Sequence, residues 1–255
     1  TTLVADLETP VSAMLKLADG RANTFLLESV EGGKVRGRFS IIGMNPDLIW
    51  KFSRKDVFIN RKAKVDIKSF EKVNDSPIES LRGLIAESSI DLPKGLPPMA
   101  AGLFGYMGYD AVRLSEQIPD NNSDDLGVPD GLFLRPSLIC IFDRLEDIVT
   151  IVTPVWPNSG VSSEAAYEAA TERLNAAVSD LQRSLPFRRE RLVGSKQIDE
   201  PLSNTSREEF HEMVNKAKDY INAGDIFQVV PSQRFSIPFD LPPMALYRSL
   251  RRLNP

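Results

Sequence analysis

Cysteine and histidine are almost missing from this chain of 255 residues: it has one of each, Cys140 and His211. One cysteine excludes a disulfide within the chain and fits a reducing, cytoplasmic setting. No cysteine, second histidine or acidic cluster stands at ligand spacing from His211. It reads as a surface residue in the first turns of a polar helix, and no metal ligand set is identified. Cys140 lies in Leu138-Ile139-Cys140-Ile141-Phe142. Strand alternation puts it beside Leu138 and Phe142, as a small core hydrophobe and not a nucleophile. No apolar run approaches the ~20 residues of a membrane span, and Thr1-Thr2-Leu3 shows no signal pattern. An excess of charge is also lacking. Lys plus Arg is 31 and Asp plus Glu 35, a net of −4, which argues against non-specific binding to nucleic acid or membranes. The one dense basic run, Arg188-Arg189-Glu190-Arg191, is too short to alter that.

What is present is a chain with 42% hydrophobic and 26% charged residues, normal for a globular protein that buries a core. Helix signals are clear. Thr9 is an N-cap with Pro10 at the first helical position and Gly20 past the end. Ser76-Pro77-Ile78-Glu79 is a capping box, followed by a stripe of Ile78, Leu81 and Ile85. A third helix runs from about Ser163 to Leu185, with Tyr167, Leu174, Val178, Leu181 and Leu185 on one face. A fourth opens on Ser206-Arg207-Glu208-Glu209 and stops at Gly224. Short β-rich runs cover Phe25 to Val30, Arg38 to Ile42 and Leu48 to Phe52. Val57 to Ile59 and Lys62 to Ile67 read as a hairpin around Asn60-Arg61, and Leu132 to Phe142 with Ile148 to Val155 as another. Many strands with few helices indicate α+β: antiparallel or mixed β-sheets packed as a sandwich with flanking helices.

Residues 186–204 are charged, aperiodic and contain Gly194 and Pro201, which marks a linker. The expected division is a first domain over 1–190 and a second over 203–255. About fifty residues bury too little apolar surface to stand alone. With Leu253-Asn254-Pro255 as its end and no initiator Met, the chain reads as a fragment trimmed at both ends.

Two constellations carry chemistry. After Gly224, a strand is expected with Ile226, Gln228, Val230, Ser232 and Arg234 on one face, unless Pro231 bulges it. Such a polar face is either solvated or lines a polar cavity. Glu28-Ser29 closes an apolar strand: either an edge carboxylate and hydroxyl in water, or a pair that captures a free amino acid, Glu28 facing its ammonium and Ser29 its carboxylate. Gly102, Gly105 and Gly108 lack the Gly-x-Gly and Lys-Ser/Thr of a phosphate loop and read as marking a bulge or a close backbone approach.

The run Ala223-Gly224-Asp225-Ile226-Phe227-Gln228-Val229-Val230-Pro231-Ser232-Gln233-Arg234-Phe235 resembles the opening of the chorismate-binding domain of the anthranilate synthase component I family. Phe25-Leu26-Leu27-Glu28-Ser29-Val30, Gly37-Arg38-Phe39-Ser40-Ile41-Ile42-Gly43 and Gly102 to Arg113 agree in the same order. Asn254-Pro255 is similar to the start of the family's Asn-Pro-Ser-Pro-Tyr-Met element. The resemblance implies the fold of chorismate-utilising enzymes. It also implies a lyase that turns chorismate and ammonia into anthranilate and pyruvate in tryptophan biosynthesis. Mg²⁺ is needed by the whole enzyme and not bound by this part. A glutamine amidotransferase subunit, component II, is the implied partner, and L-tryptophan the feedback inhibitor. Glu28, Ser29, Arg38, Ser40 and Pro255 then line the tryptophan site, and Gln228 the active site. In related chorismate enzymes that add water, the position matching Gln228 holds a lysine acting as base, whereas enzymes that add ammonia resemble this chain and carry glutamine there; an amide cannot deprotonate water. The alternatives are component I of aminodeoxychorismate synthase, which shares the fold, or a non-catalytic amino-acid-binding module.

Overall fold

A computed structural model describes residues 1–18, 20–31, 35–157, 160–185 and 200–253. They fall into two compact units, Thr1–Arg188 and Arg189–Asn254. Unit 1 contains β1 (Thr2–Val4), α1 (Pro10–Ala18), β2 (Phe25–Glu31), β3 (Val35–Ser53), β4 (Asp56–Asn60) and β5 (Glu71–Val73). It continues through α2 (Pro77–Glu87), β6 (Phe104–Met107), β7 (Gly131–Asp143), β8 (Ile148–Val152) and α3 (Ser163–Gln182). Unit 2 contains β9 (Leu202–Ser203), α4 (Arg207–Ala223), β10 (Phe235–Ser236) and α5 (Pro243–Leu253). No helix among the described residues is long and apolar enough to cross a membrane.

The spine of unit 1 is the antiparallel pair β3 and β7, in register from Phe39 with Asp143 to Phe52 with Gly131. Their ladder slips between Pro46 and Leu48, just after Asn45 at a φ of 50°. Pro46 has no N–H to donate, and the resulting bulge bends the ribbon. Before the bend the strand order is β1-β8-β7-β3-β2; after it, β6-β7-β3-β4-β5. The two halves share their long strands, the way a corner is made in packed sheets. They meet where Phe25 of β2 stacks on Phe104 of β6, ring centroids 4.9 Å apart. The antiparallel α+β architecture is as expected. The sandwich is one continuous bent sheet, because β3 runs through Asn45-Pro46, where the sequence suggested two separate strands.

Alternation along the spine sorts the core. Ile42, Met44, Leu138, Cys140 and Phe142 face α1 and α3, against Leu17, Ala177 and Leu181. Ile41, Ile139 and Ile141 face the other way, against Phe25, Met99 and Phe104. Past the bend, Leu48, Trp50 and Phe52 pack with Leu84 of α2. The buried Trp50 indole N–H donates to Ser80 Oγ at 3.0 Å, the partner a buried indole needs. Cys140 is wholly buried, and burial pushes its thiol up to about 12. It is the inert core residue its spacing suggested.

The expected caps form. Thr9 Oγ1 accepts from the Ser12 N–H at 3.1 Å, and Ser206 and Glu209 make a reciprocal capping box. Two helix stripes differ from expectation. In α2, Ser80 and Leu84 are buried while Ile78 and Ile85 are exposed; in α3, Ala170, Ala177 and Leu181 are buried while Tyr167 is exposed, and the helix ends at Gln182, short of the exposed Leu185. Small residues let each helix approach the sheet closely, and that outweighs side-chain hydrophobicity at the rim. The Val57 hairpin also differs. β4 pairs with β5, Val57 opposite Val73, and residues 62–67 form turns. The cause is Asn60, fully buried, whose amide donates to the Asp66 carbonyl and accepts from the Lys62 N–H, both at 2.8 Å. The tight hairpin is instead β3 to β4, through Arg54 at a φ of 57°.

In unit 2 the strand expected after Gly224 is absent. Residues 225–234 are irregular, and only Phe235–Ser236 pairs, with Leu202–Ser203. A strand must satisfy its backbone groups across a ladder, and among the described residues only β9 offers one. The linker read over 186–204 lies outside the described residues up to 199.

Candidate functional site

The residues singled out in the first unit come together at one end of the β2–β3 pair. Glu28 sits directly opposite Ser40 across the ladder, and Ser40 in turn opposes Phe142 of β7. Directly opposed residues share a sheet face, so Glu28 and Ser40 project to the same side. Ser40 is buried and Glu28 partly so. Immediately after Glu28 the register shifts, and Ser29 occupies the bulge. Bulges re-aim side chains. Here the Ser29 hydroxyl donates to the Phe39 carbonyl at 3.2 Å. It also overlies Gly37, where an added Cβ would fall 1.9 Å from Ser29 Oγ. Gly37 is therefore the cradle for Ser29.

Arg38 is committed to a fork. Its Nε and Nη2 donate to the Asp143 carboxylate at 2.6–3.0 Å, and its guanidinium lies 5.0 Å from the Phe39 ring centroid. The hydrogen bond from Arg38 holds Asp143 below the usual carboxylate range and raises Arg38. The ion pair ties the end of β3 to the end of β7 and leaves the guanidinium half exposed. The arrangement can offer a ligand an acidic group, a hydroxyl acceptor and a guanidinium edge. The Ser29 proton is already used, so a carboxylate taken there displaces the bond to Phe39.

Pro255 lies outside the described residues. Gln228 is exposed, in the irregular stretch after α4, and belongs to unit 2. His211 is exposed on α4. Gly105 makes the close approach its spacing suggested: an added Cβ would sit 1.9 Å from the Leu132 carbonyl oxygen. Sequence reasoning missed Gly37 and Asp143. Gly37 stood inside a quoted motif without a role. Asp143 is 105 positions from Arg38, and no local spacing joins them.

Residues 27–255 match the family described as chorismate binding enzyme. The chain is 53% identical over 253 residues to anthranilate synthase component 1 of Cereibacter sphaeroides, covering 99% of this chain and 50% of that protein. It is 38% identical over 255 residues to the Thermus thermophilus protein of that name, covering all of this chain and 50% of the relative. The crystal structure of anthranilate synthase component I from Streptococcus pneumoniae TIGR4 superposes with a TM-score of 0.69 at 27% identity, over 99% of this chain and 52% of that one. The chain thus spans about half the length of the curated relatives it matches. With the match extending from the β2 strand that carries Glu28 to the last residue, the chain belongs to the chorismate-binding enzyme family.

Proposed function

We propose that this chain is the N-terminal part of an anthranilate synthase component I. The whole protein would convert chorismate and ammonia to anthranilate and pyruvate. A separate glutamine amidotransferase subunit would supply the ammonia in the cytoplasm. The observation that carries this reading is end-to-end likeness: 53% identity over 99% of the chain to a protein of that name.

In this reading unit 1 is regulatory and takes L-tryptophan at the end of β2. Glu28 meets the ammonium, while Ser29, Arg38, Ser40 and Pro255 serve the rest of the molecule. Support comes from the bulge that aims Ser29 and from the Gly37 cradle beneath it. Unit 2 is the opening of the chorismate-binding domain, with Gln228 lining the active site in the complete protein. A neutral amide takes no proton from water, which suits ammonia as nucleophile. Among the described residues no group of three or more His, Cys, Asp or Glu comes together as an ion site. In this reading the Mg²⁺ belongs to the remainder of the complete protein.

Anthranilate fluorescence tests the reading. The complete protein, given chorismate, Mg²⁺ and ammonia, is expected to form anthranilate; the 255-residue chain alone is expected to form none. Turnover by the chain alone overturns the assignment of its incomplete catalytic part. In the complete protein, Ser29→Ala removes one hydrogen bond to a charged group. That raises the tryptophan IC50 by roughly 10- to 150-fold. An IC50 within about twofold of wild type makes Ser29 an ordinary surface residue. Gln228→Lys is expected to lower amination and admit water as a competing nucleophile. Unchanged anthranilate with no hydroxylated product makes Gln228 structural.

A further inference from the structure

A hollow of about 320 Å³ opens in unit 1 where the bend of the spine meets α3. Its wall includes Asn23, Asn45, Lys64, Ser137 and Arg173. These come from five places: the turn before β2, the bend of β3, the turn after β4, the middle of β7 and the middle of α3. Asn23 and Asn45 hold the left-handed conformation, at φ 55° and 50°. The wall is braced. Ser137 donates to the Asn45 carbonyl at 2.6 Å, Thr153 to the Ser137 carbonyl at 2.8 Å, and Arg173 Nε to Thr153 Oγ1 at 2.9 Å. That last bond orients the guanidinium by one nitrogen and leaves its forked end for something else.

Two cations therefore face one polar hollow. Neither Lys64 nor Arg173 makes an ion pair among the described residues. The charged groups that act on Lys64 are Arg173, Arg135 and Asp47. Asp47 is already forked onto Arg135 at 2.8 and 2.9 Å. Burial lowers the Lys64 ammonium first, and the two arginines push it the same way. By surface area Lys64 is exposed and Arg173 partly buried, so water screens their repulsion in part, and it is relieved when a counter-charge arrives. A guanidinium fork beside an ammonium is the donor set that suits a planar carboxylate or a phosphate. The volume is at the small end of ligand cavities.

We propose that this hollow binds a compact oxyanion, a carboxylate or phosphate group held between Lys64 and Arg173 with the Asn23 and Asn45 amides beside it. The site is separate from the Glu28 end of the sheet. None of Glu28, Ser29, Arg38 or Ser40 lines the hollow. It stands whether or not tryptophan binds at those residues.

The test is calorimetric titration of the 255-residue chain with sodium phosphate and, separately, sodium succinate, in chloride at constant ionic strength. At least one anion should bind at one site per chain and raise Tm by ligand linkage. Tighter phosphate assigns a phosphoryl ligand; tighter succinate assigns a carboxylate. Lys64→Met and Arg173→Met should each weaken binding at least about tenfold, and Lys64→Arg should stay within about threefold. Lys64→Met should also raise the anion-free Tm slightly, through relief of repulsion. Should it misfold, Lys64→Gln serves in its place, with folding checked by circular dichroism. Absence of binding or of a Tm shift beyond chloride for both anions overturns the proposal. So does unchanged affinity in the Lys64 and Arg173 variants.

Discussion

In unit 1, Ile42, Leu48, Trp50, Ile139 and Ile151 are wholly withdrawn from water, whereas in residues 200–253 no side chain is buried and Phe227 keeps 94% of its surface exposed. Both regions have apolar residues in the right periods, so composition does not explain the contrast. Hydrogen-bond locality does. Helix α4 forms in unit 2 because its bonds close within the segment and its ends are capped by Ser206, Glu209 and Gly224. The strand expected after Gly224 does not form, because its ladder would have to come from residues distant in sequence. In unit 1 those partners exist: β3 meets β7 across the length of the fold, and every layer of the core depends on that pairing.

The contrast can be tested most strongly with thiols. In a Phe227→Cys variant, alkylation of Cys140 should run at least ~10³-fold slower than that of the new cysteine. Cys140 is reached only through opening of the core, at a cost of several kcal/mol. Peptide mass spectrometry reads both sites in one sample, and similar rates would erase the distinction. Next in size, Ile42→Ala should cost about 2–5 kcal/mol in denaturant unfolding, while Leu253→Ala, 83% exposed, should stay within about 0.5 kcal/mol. An equal loss at both positions would mean unit 2 shares the cooperative core.

Backbone changes sharpen the same point at lower amplitude. Gly105→Ala drives a Cβ into the Leu132 carbonyl, which cannot swing away, and should lower stability by about 1–3 kcal/mol. Gly224→Ala meets no neighbour but must hold a φ of 82°, so its cost should be about 1–2 kcal/mol, felt as shortened α4 helicity. Circular dichroism and chemical denaturation separate the two. The smallest expected effect is in acid. Glu87 is held low by Arg61 and Asp143 by Arg38. A lowered carboxylate stabilises fully above its ordinary value near ~4 and loses that contribution as pH falls through the folded value. The Tm of unit 1 should therefore drop below about pH 4, and Glu87→Gln should flatten part of that slope. Both pairs have an arginine about half exposed to water and are screened in part, so a steep loss would point to other groups.

Much of the chain was legible from local chemistry. The caps at Thr9, Ser76 and Ser206, the Gly224 stop, the alternation through Leu138 to Phe142, the inert Cys140 and the close approach at Gly105 all follow from spacing and residue type. Family membership was legible too, from four motifs in one order. Other features were hidden. Ile78 and Ile85 looked inward, yet Ser80 and Leu84 are buried, because which helix face turns in depends on what lies beneath it. Asn60 looked like a turn residue and is a buried organiser of the next loop.

The candidate sites divide in the same way. Glu28, Ser29, Arg38 and Ser40 could be named from the sequence because they lie in two short motifs that pair as neighbouring strands. Their geometry could not. The bulge at Ser29 and the Gly37 cradle depend on the register of β2 against β3, and the Arg38–Asp143 fork and the hollow holding Lys64 and Arg173 join residues far apart in the chain. Sequence by itself determined the elements whose hydrogen bonds and contacts close within a few residues. Only the tertiary structure decided which faces were buried and which charges met, because those depend on partners brought together by the β3–β7 ladder across about a hundred residues of chain.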